Sequence, residues 1–356
     1  MKVLHPNVTY SSIVKVGEEA LQLEKQTGKQ VLKLHRGVMD VVDINTNNMI
    51  PVMSSPKTIT QYTSNDGLPI LIDSINKLLR IDNCKTIIVP GGMASLDLTI
   101  NSLGDEIFHI PKYHWGSWNK ILKIHQKTIK TYNEFDLDSF RPTKGVIMMC
   151  FPSNPTGYQP EMEKIKKLLE YANLNNLTVI LDLPYYHLFN PFDDAITNMF
   201  TDNVILLSSF SKSFGLSGFR IGYISTKSLE LYETLRIRSL YKYNSIAVLP
   251  QIIIKNIIED YFNLDDFSVL GNYKFFTTYD IKRNIEYLID NNLLMDEYPS
   301  PPIGPFAIVK LTQKDLLNKL ISSVPLSKFT LDNYGENLTR ISVAVNHNKF
   351  VKYMNC

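Results

Sequence analysis

The chain has 356 residues, of which 44% are hydrophobic, so it is long enough to bury one large core and a second, smaller one. Its 37 lysine and arginine residues are nearly balanced by 35 aspartate and glutamate residues. This balance lacks the basic excess that a nucleic-acid-binding protein needs. The composition therefore favours a protein that acts on small molecules.

The cysteines and the apolar pattern of the sequence favour a cytoplasmic protein. The three cysteines are widely spaced and form no CxxC pair, so they signal neither a disulfide framework nor a zinc site. The first residues lack the apolar segment of a signal peptide, and no stretch approaches the ~20 apolar residues of a membrane span. We therefore expect no metal site and neither a membrane nor a nucleic acid as a partner.

Apolar spacing predicts helices that alternate with strands along most of the chain. Such alternation implies an α/β fold in which right-handed crossovers connect the strands of a parallel sheet. In chain order we predict a helix over 11–27, a strand before Gly37, a helix over 70–79, a strand over 86–89, a helix over 93–103, strands over 107–111 and 145–151, a helix over 161–173, a strand containing Asp182, a strand over 204–207, helices over 229–241 and 246–261, and strands within 304–311 and 337–345.

The most informative stretch surrounds Lys212. An apolar run over 204–207 ends in serines that include Ser209 and Ser211, and Arg220 follows eight residues after the lysine. Hydroxyl, ammonium and guanidinium groups all donate hydrogen bonds, so this pattern predicts a pocket for an anion. A polar loop with a solvated lysine is the alternative.

Polar residues follow three of the predicted strands at or just after their carboxyl ends. These residues are Asn154, Asp182 and Lys212. Ligands of parallel sheets bind at that edge, so we expect the three side chains to converge. An ionised Asp182 in an apolar strand is costly unless it meets a cation, although an aspartate that caps a neighbouring helix is also possible.

The motifs at these positions resemble those of the class I/II aminotransferases, enzymes of fold type I that use pyridoxal 5'-phosphate (PLP). The chain has S-x-x-K at 209–212, with Arg220 eight residues later, Asn-Pro-Thr-Gly at 154–157 and Asp-x-x-Tyr at 182–185. The resemblance implies a large domain with a mostly parallel central sheet flanked by helices, over residues 45–244. A smaller α+β domain would comprise residues 1–44 and 245–356.

By this resemblance, Lys212 forms the Schiff base with PLP and is the catalytic base. Ser209 and Arg220 hold the PLP phosphate, and Ser211 is a further donor. Schiff-base chemistry needs a neutral amine, and burial or a neighbouring cation can lower the pKa of a lysine enough to provide one.

The resemblance also assigns residues to the pyridine ring of the cofactor. Asn154 and Tyr185 bind the phenolic oxygen, and Asp182 keeps the pyridine nitrogen protonated. An aromatic residue stacks on the ring, and its spacing from the preceding proline selects Tyr113, with Trp115 as the alternative.

Five further residues receive roles from the same resemblance. The backbone of Gly92 and Met93 contacts the PLP phosphate, where a Gly-Gly turn leads into a helix. Tyr62 reaches across a dimer interface to the partner's cofactor phosphate. Gly37 lies beside the substrate carboxylate, and Arg340 binds that carboxylate.

Two polar residues, His35 and Arg36, directly precede Gly37. We interpret both as exposed side chains, with substrate contact as the alternative. Val38 and Met39 follow in place of the acidic residue and proline that are usual in the family.

The predicted function is that of a homodimeric, PLP-dependent aminotransferase that moves an amino group from an amino acid to a 2-oxo acid. Other reactions would retain the same cofactor residues, because one fold supports many chemistries. These include decarboxylation, β- or γ-elimination, cyclisation and oxygen-dependent oxidation. A PLP-sensing regulator is a remote alternative, because residues 1–30 are too few for the winged helix-turn-helix that precedes such a domain.

Overall fold

Helices and strands alternate along most of the chain, as expected for an α/β fold. The computed structural model describes residues 8–49, 60–104, 106–190 and 200–356. In chain order the elements are α1 (Ser12–Thr27), β1 (Leu32–Lys33), α2 (Pro69–Leu79), β2 (Lys85–Val89), α3 (Gly92–Ser102), β3 (Ile107–Pro111), α4 (Gly116–Ile124), β4 (Thr128–Tyr132), β5 (Val146–Met149), α5 (Met162–Leu174), β6 (Thr178–Asp182), α6 (Tyr186–Phe189), β7 (Val204–Ser209), β8 (Gly222–Thr226), α7 (Leu229–Tyr243), α8 (Val248–Leu264), α9 (Val269–Asp290), β9 (Phe306–Val309), α10 (Gln313–Asn318), β10 (Ile321–Ser322), β11 (Val324–Pro325), β12 (Thr339–Ser342) and α11 (His347–Met354).

A seven-stranded sheet with the order β2-β8-β7-β6-β5-β3-β4 lies at the centre of the protein. Within the part of the sheet ordered β7-β6-β5-β3-β4, each strand runs parallel to the next. β8 runs antiparallel to both β7 and β2. This topology confirms the predicted α/β fold with a mostly parallel central sheet.

Both faces of the central sheet are buried, which explains why its strands are almost continuously apolar. On β6, Val179 and Leu181 pack into one core, whereas Ile180 packs into the core on the opposite face. The same alternation occurs on β7, where Val204 and Ile205 belong to different cores. Residues from α2, α5, α8 and α9 contribute to the first core, and residues from α3, α4 and α7 contribute to the second.

The tight contact between β8 and the turn before α3 depends on glycine. A Cβ atom on Gly222 would lie 2.7 Å from the carbonyl carbon of Gly91 and 2.9 Å from the backbone oxygen of Ser208. These contacts are with backbone atoms, which cannot rotate away. Gly222 therefore lets β8 pack against the turn that begins α3 at the carboxyl edge of the sheet.

A second, smaller region contains segments from both ends of the described chain. β11, β12 and β9 form an antiparallel sheet, and β1 pairs in parallel with β10. A bridge between Asp40 and Val345 adds a second link between the N-terminal and C-terminal segments. The division into a large domain over 45–244 and a small domain from the two ends stays a prediction.

The predicted elements are present, and their ends differ from the predicted ends by at most three residues. The prediction missed α4, β4, α6, β8, α9, α10, β10, β11 and α11. β4 is an edge strand whose residues are mostly exposed, so it lacks the apolar run of a central strand. Within the described ranges, none of the helices is both long and apolar enough to cross a membrane.

Candidate active site

A cavity of about 330 Å³ lies at the carboxyl ends of β5, β6 and β7. Its wall contains most of the residues that the sequence analysis selected. These are Gly37, Gly92, Met93, Asn154, Asp182, Tyr185, Ser209, Ser211, Lys212, Arg220 and Arg340. The topology therefore brings together side chains that are up to three hundred residues apart in sequence, as expected for an edge where parallel strands end.

Lys212 follows the end of β7, and its amine points into the cavity wall formed by the N-terminal segment. Its Nζ donates a hydrogen bond of 2.6 Å to the backbone oxygen of Gly37. Burial lowers the pKa of Lys212 to about 8, and the charges of Arg340 and Arg220 act in the same direction. Near neutral pH, this amine is therefore deprotonated far more often than an ordinary lysine is.

Gly92, Ser209 and Arg220 form a group of donors that we call the anion cradle. Gly92 is the first residue of α3, so its end of the helix carries free N–H groups and a partial positive charge. A Cβ on the preceding residue, Gly91, would lie 2.5 Å from Nη2 of Arg220, so glycine is needed for the guanidinium to approach. Nη1 of Arg220 also donates to the backbone oxygen of Ser217, at 2.8 Å.

Asp182 is the last residue of β6 and is buried. Its carboxylate accepts a hydrogen bond of 3.0 Å from Nε1 of Trp118. Burial raises the pKa of Asp182 to about 7, and the Trp118 hydrogen bond opposes this rise. A cationic group in the cavity would favour the ionised carboxylate.

Arg340 on β12 is fully buried between two aromatic rings. The centre of its guanidinium lies 4.6 Å from the ring centroid of Phe306 and 4.9 Å from that of Phe329. Nη1 donates to Oδ1 of Asn154 at 3.3 Å, and Nη2 donates to the backbone oxygen of His35. Its Nε is buried and has no hydrogen-bond partner among the described residues, so one donor of Arg340 is unsatisfied.

The structure corrects the stacking role predicted for Tyr113. This side chain is fully buried outside the cavity, and its hydroxyl donates a hydrogen bond of 2.7 Å to Glu297. A buried phenol needs such a hydrogen-bond partner, and Tyr113 is not part of the cavity lining. Trp115, the alternative from the sequence, lines the cavity, so the stacking role passes to Trp115 as a prediction.

His35 and Tyr62 lie outside the lining of this cavity. His35 was expected to be exposed, but it is fully buried, and its Nδ1 lies 2.7 Å from Oγ of Ser322. Burial lowers the pKa of His35 to about 4, so the ring is neutral near pH 7. Tyr62 is 84% exposed, so its predicted contact with a partner's cofactor stays a prediction.

Trp118 and Arg36 are cavity residues that the sequence analysis did not select. Trp118 lies on α4, and Trp115 directly precedes that helix. Residues three apart lie on the same face of a helix. That spacing could have indicated a second aromatic in the wall. Arg36 was interpreted as exposed, and it is both exposed and part of the lining.

A model of the family described as aminotransferase class I and II matches residues 30–352. The chain belongs to this family. The match covers all of the cavity residues named above, so the family and the geometry concern the same part of the chain.

Several curated aminotransferases are similar in sequence to this chain. It is 33% identical over 184 residues to a probable aspartate aminotransferase of Methanocaldococcus jannaschii, covering 47% of this chain and 49% of the relative. It is 36% identical over 194 residues to histidinol-phosphate aminotransferase 2 of Oceanobacillus iheyensis, covering 53% and 51%. The chain thus spans about half the length of several curated relatives that it matches.

Solved aminotransferase structures have the same fold over the whole chain. Aspartate aminotransferase from Thermus thermophilus with maleate superposes with a TM-score of 0.83 at 18% identity, covering 100% of this chain and 98% of that one. Aspartate aminotransferase from Rhizobium meliloti gives a TM-score of 0.81 at 18% identity, covering 100% and 97%. At this level of identity the similarity establishes the fold alone.

The cavity fits PLP, the cofactor on which this family depends. The anion cradle offers a guanidinium, a hydroxyl and backbone N–H groups, which is the donor set that a phosphate group needs. Asp182 is a buried acid without a cationic partner among the described residues, and a protonated pyridine nitrogen would supply one. The volume is also in the range of pockets that hold a small cofactor.

The hydrogen bond between Trp118 and Asp182 gives a testable prediction. Replacing Trp118 by Phe keeps an aromatic ring but removes the N–H donor, so the pKa of Asp182 should rise further. A hydrogen bond to a charged group contributes about 1.5 kcal/mol or more, so we expect PLP to bind roughly tenfold more weakly near pH 7. The difference in PLP affinity between Trp118→Phe and wild type should narrow near pH 9, where Asp182 is ionised in both proteins.

Trp115→Phe is the matched control, because it removes an indole from the same wall and leaves the Asp182 hydrogen bond in place. The chain has two tryptophans, and both line the cavity, so the remaining one reports binding through its fluorescence. An affinity ratio between Trp118→Phe and wild type that does not change with pH would contradict the prediction.

Proposed function

We propose that this protein is a PLP-dependent aminotransferase that transfers the amino group of an amino acid to a 2-oxo acid. The observation that carries the proposal is the meeting of four groups in one cavity. These are an amine with a lowered pKa, a buried carboxylate, an anion cradle and a buried guanidinium with a free donor. The names of the curated relatives add support, because those proteins are called aminotransferases.

Bound PLP would supply an electron sink that weakens the bonds to the substrate Cα. The anion cradle would hold its phosphate. Asn154 and Tyr185, which both line the cavity, are available for its phenolic oxygen. The Asp182 carboxylate would keep a proton on the pyridine nitrogen, and Trp118 would hold the other side of that carboxylate.

Lys212 is suited to move the proton at the substrate Cα. A general base works best when its pKa lies near the working pH, and the pKa of Lys212, about 8, meets this condition. Arg340 would bind the α-carboxylate through parallel hydrogen bonds, which fixes the orientation of Cα. Phe306 and Phe329 restrict the guanidinium to one plane, so little entropy is lost when it binds.

Spectroscopy with the amino donor alone tests this proposal. The holoenzyme should convert an amino acid to about one equivalent of 2-oxo acid per site, while the absorbance of the aldehyde form of PLP falls and its amine form accumulates. A decarboxylase, lyase, cyclase or oxidase would instead regain the aldehyde form and make product over many cycles. That second result would reject transamination.

Lys212→Ala should abolish formation of the 2-oxo acid, whereas Lys282→Ala, at an exposed lysine of α9, should have no effect. Unchanged activity in Lys212→Ala would reject the assigned base.

We further propose that the protein is a homodimer in which Tyr62 completes the site of the partner. Tyr62 is 84% exposed and lies outside the cavity of its own chain. Other large apolar side chains are also exposed on α3 and α7, including Met93, Ile237 and Tyr241. Exposed apolar groups of this kind favour association.

The three cysteines form no disulfide, which agrees with the predicted cytoplasmic location, and that location stays a prediction.

Complementation between two inactive variants tests the shared site. Lys212→Ala removes the base, and Tyr62→Ala removes the residue predicted to act in the partner. A hybrid dimer has one fully intact site, so a random mixture should regain about a quarter of wild-type activity if dimers are closed and symmetric. Tyr62→Phe, which keeps the ring but not the hydroxyl, shows which part of the side chain matters. A mixture with only the mean activity of its two parents would contradict a shared site.

A further inference from the structure

The cavity contains one guanidinium more than the proposed function requires. Arg36 lines the wall together with Arg220 and Arg340. If the proposed function is correct, Arg220 binds the cofactor phosphate and Arg340 binds the α-carboxylate, which leaves Arg36 without an anion. Among the described residues, no carboxylate forms an ion pair with Arg36. Of the lining residues that the structure describes, only Asp182 is acidic.

The backbone on both sides of Arg36 is tied to groups that face the substrate. The carbonyl of His35 accepts a hydrogen bond from Arg340. The carbonyl of Gly37 accepts one from Lys212, at 2.6 Å. Residue 36 is therefore held at a fixed position relative to the carboxylate-binding group and to the base. Its side chain starts next to the place where a substrate would be held.

The side chain of Arg36 extends toward the face of α1 that borders the cavity. Its Nη2 lies 3.7 Å from the position that a Cβ on Gly17 would occupy. Ile13 is four residues before Gly17, so it lies on the same face of α1, and it also lines the cavity. This distance corresponds to ordinary van der Waals contact, so the guanidinium lies against this face of α1. Arg36 is exposed, so its charge lies at the edge of the cavity rather than in its depth.

We propose that Arg36 forms a subsite for a second anionic group, a carboxylate or a phosphate at the far end of the substrate side chain. A guanidinium can bind either group through two parallel hydrogen bonds. Ile13 and Val38 also line the cavity, and they offer apolar contacts to the carbons that separate the two ends of such a substrate. The proposal rests on the proposed function and names its class of substrate.

Matched pairs of amino donors test the subsite in the half-reaction without an acceptor. The pairs are glutamate with glutamine, aspartate with asparagine, and O-phosphoserine with serine. Wild type should prefer the acidic member of at least one pair. In Arg36→Gln, that preference should fall by roughly 10- to 100-fold, since a hydrogen bond between charged groups is lost. The loss should appear in the donor concentration that half-saturates the rate of the half-reaction, and this concentration should change by less than about threefold for the neutral donors.

The three pairs distinguish the two sources of negative charge. A loss confined to the glutamate or aspartate pair assigns the subsite to a carboxylate, and a loss confined to O-phosphoserine assigns it to a phosphate. Arg36→Lys should recover part of the preference, because it keeps the charge but not the paired donors. Lys314→Gln, which removes an exposed charge from α10 outside the cavity lining, should behave like wild type. Unchanged acid-to-neutral ratios in Arg36→Gln would overturn the proposal.

Binding provides a readout that does not depend on turnover. Glutarate should bind the wild-type holoenzyme more tightly than butyrate, as measured by the fluorescence of Trp115 and Trp118, and Arg36→Gln should remove that difference. If no amino donor is converted but the glutarate preference depends on Arg36, the proposed function fails and the subsite stands. If the wild-type protein converts amino donors but does not prefer the acidic member of any pair, the subsite is rejected and the proposed function stands.

Discussion

The burial of two cationic groups, Lys212 and Arg340, at one cavity is the constraint on which the rest of the site depends. Removing charged groups from water is costly, and the cost falls when the group loses its proton or gains hydrogen bonds. Lys212 takes the first route, because burial and two neighbouring guanidinium groups favour its neutral amine. Arg340 takes the second, with bonds to Asn154 and His35 and two flanking rings. The same arrangement thus lowers the cost of burying these groups and prepares a nucleophilic amine.

The fold explains why these groups meet. Parallel strands end at one edge of the sheet, so residues that follow β5, β6 and β7 lie side by side even though they are far apart in sequence. The antiparallel strand β8 adds Gly222, whose missing side chain lets the turn before α3 approach. The segment over 35–37 closes the cavity from the N-terminal side through its backbone oxygens. A site that needs both a phosphate-binding turn and a buried acid can therefore form at the carboxyl edge of the central sheet.

The sequence was sufficient for the residues whose position follows from the ends of strands. Asp182 and Lys212 were selected because a polar residue interrupts or ends an apolar run, and the structure places both at the cavity. The aromatic residues after β3 could not be sorted in this way. Tyr113 turns toward Glu297 and Trp118 toward Asp182, and each partner is more than sixty residues away in sequence. His35 was misjudged for the same reason, since its partner is Ser322.

The titration of Lys212 in the cofactor-free protein is the most direct measurement of the central claim. Amines react with acetic anhydride only when they are deprotonated, so the acetylation rate of each lysine, resolved by mass spectrometry, follows its ionisation. Because the pKa of Lys212 is lowered to about 8, its rate should reach half of its maximum near that pH, well below the range in which an ordinary lysine loses its proton. The exposed Lys282 is the comparison lysine. If Lys212 shows the same pH dependence as Lys282, burial and the neighbouring arginines do not prepare its amine, and the account is contradicted.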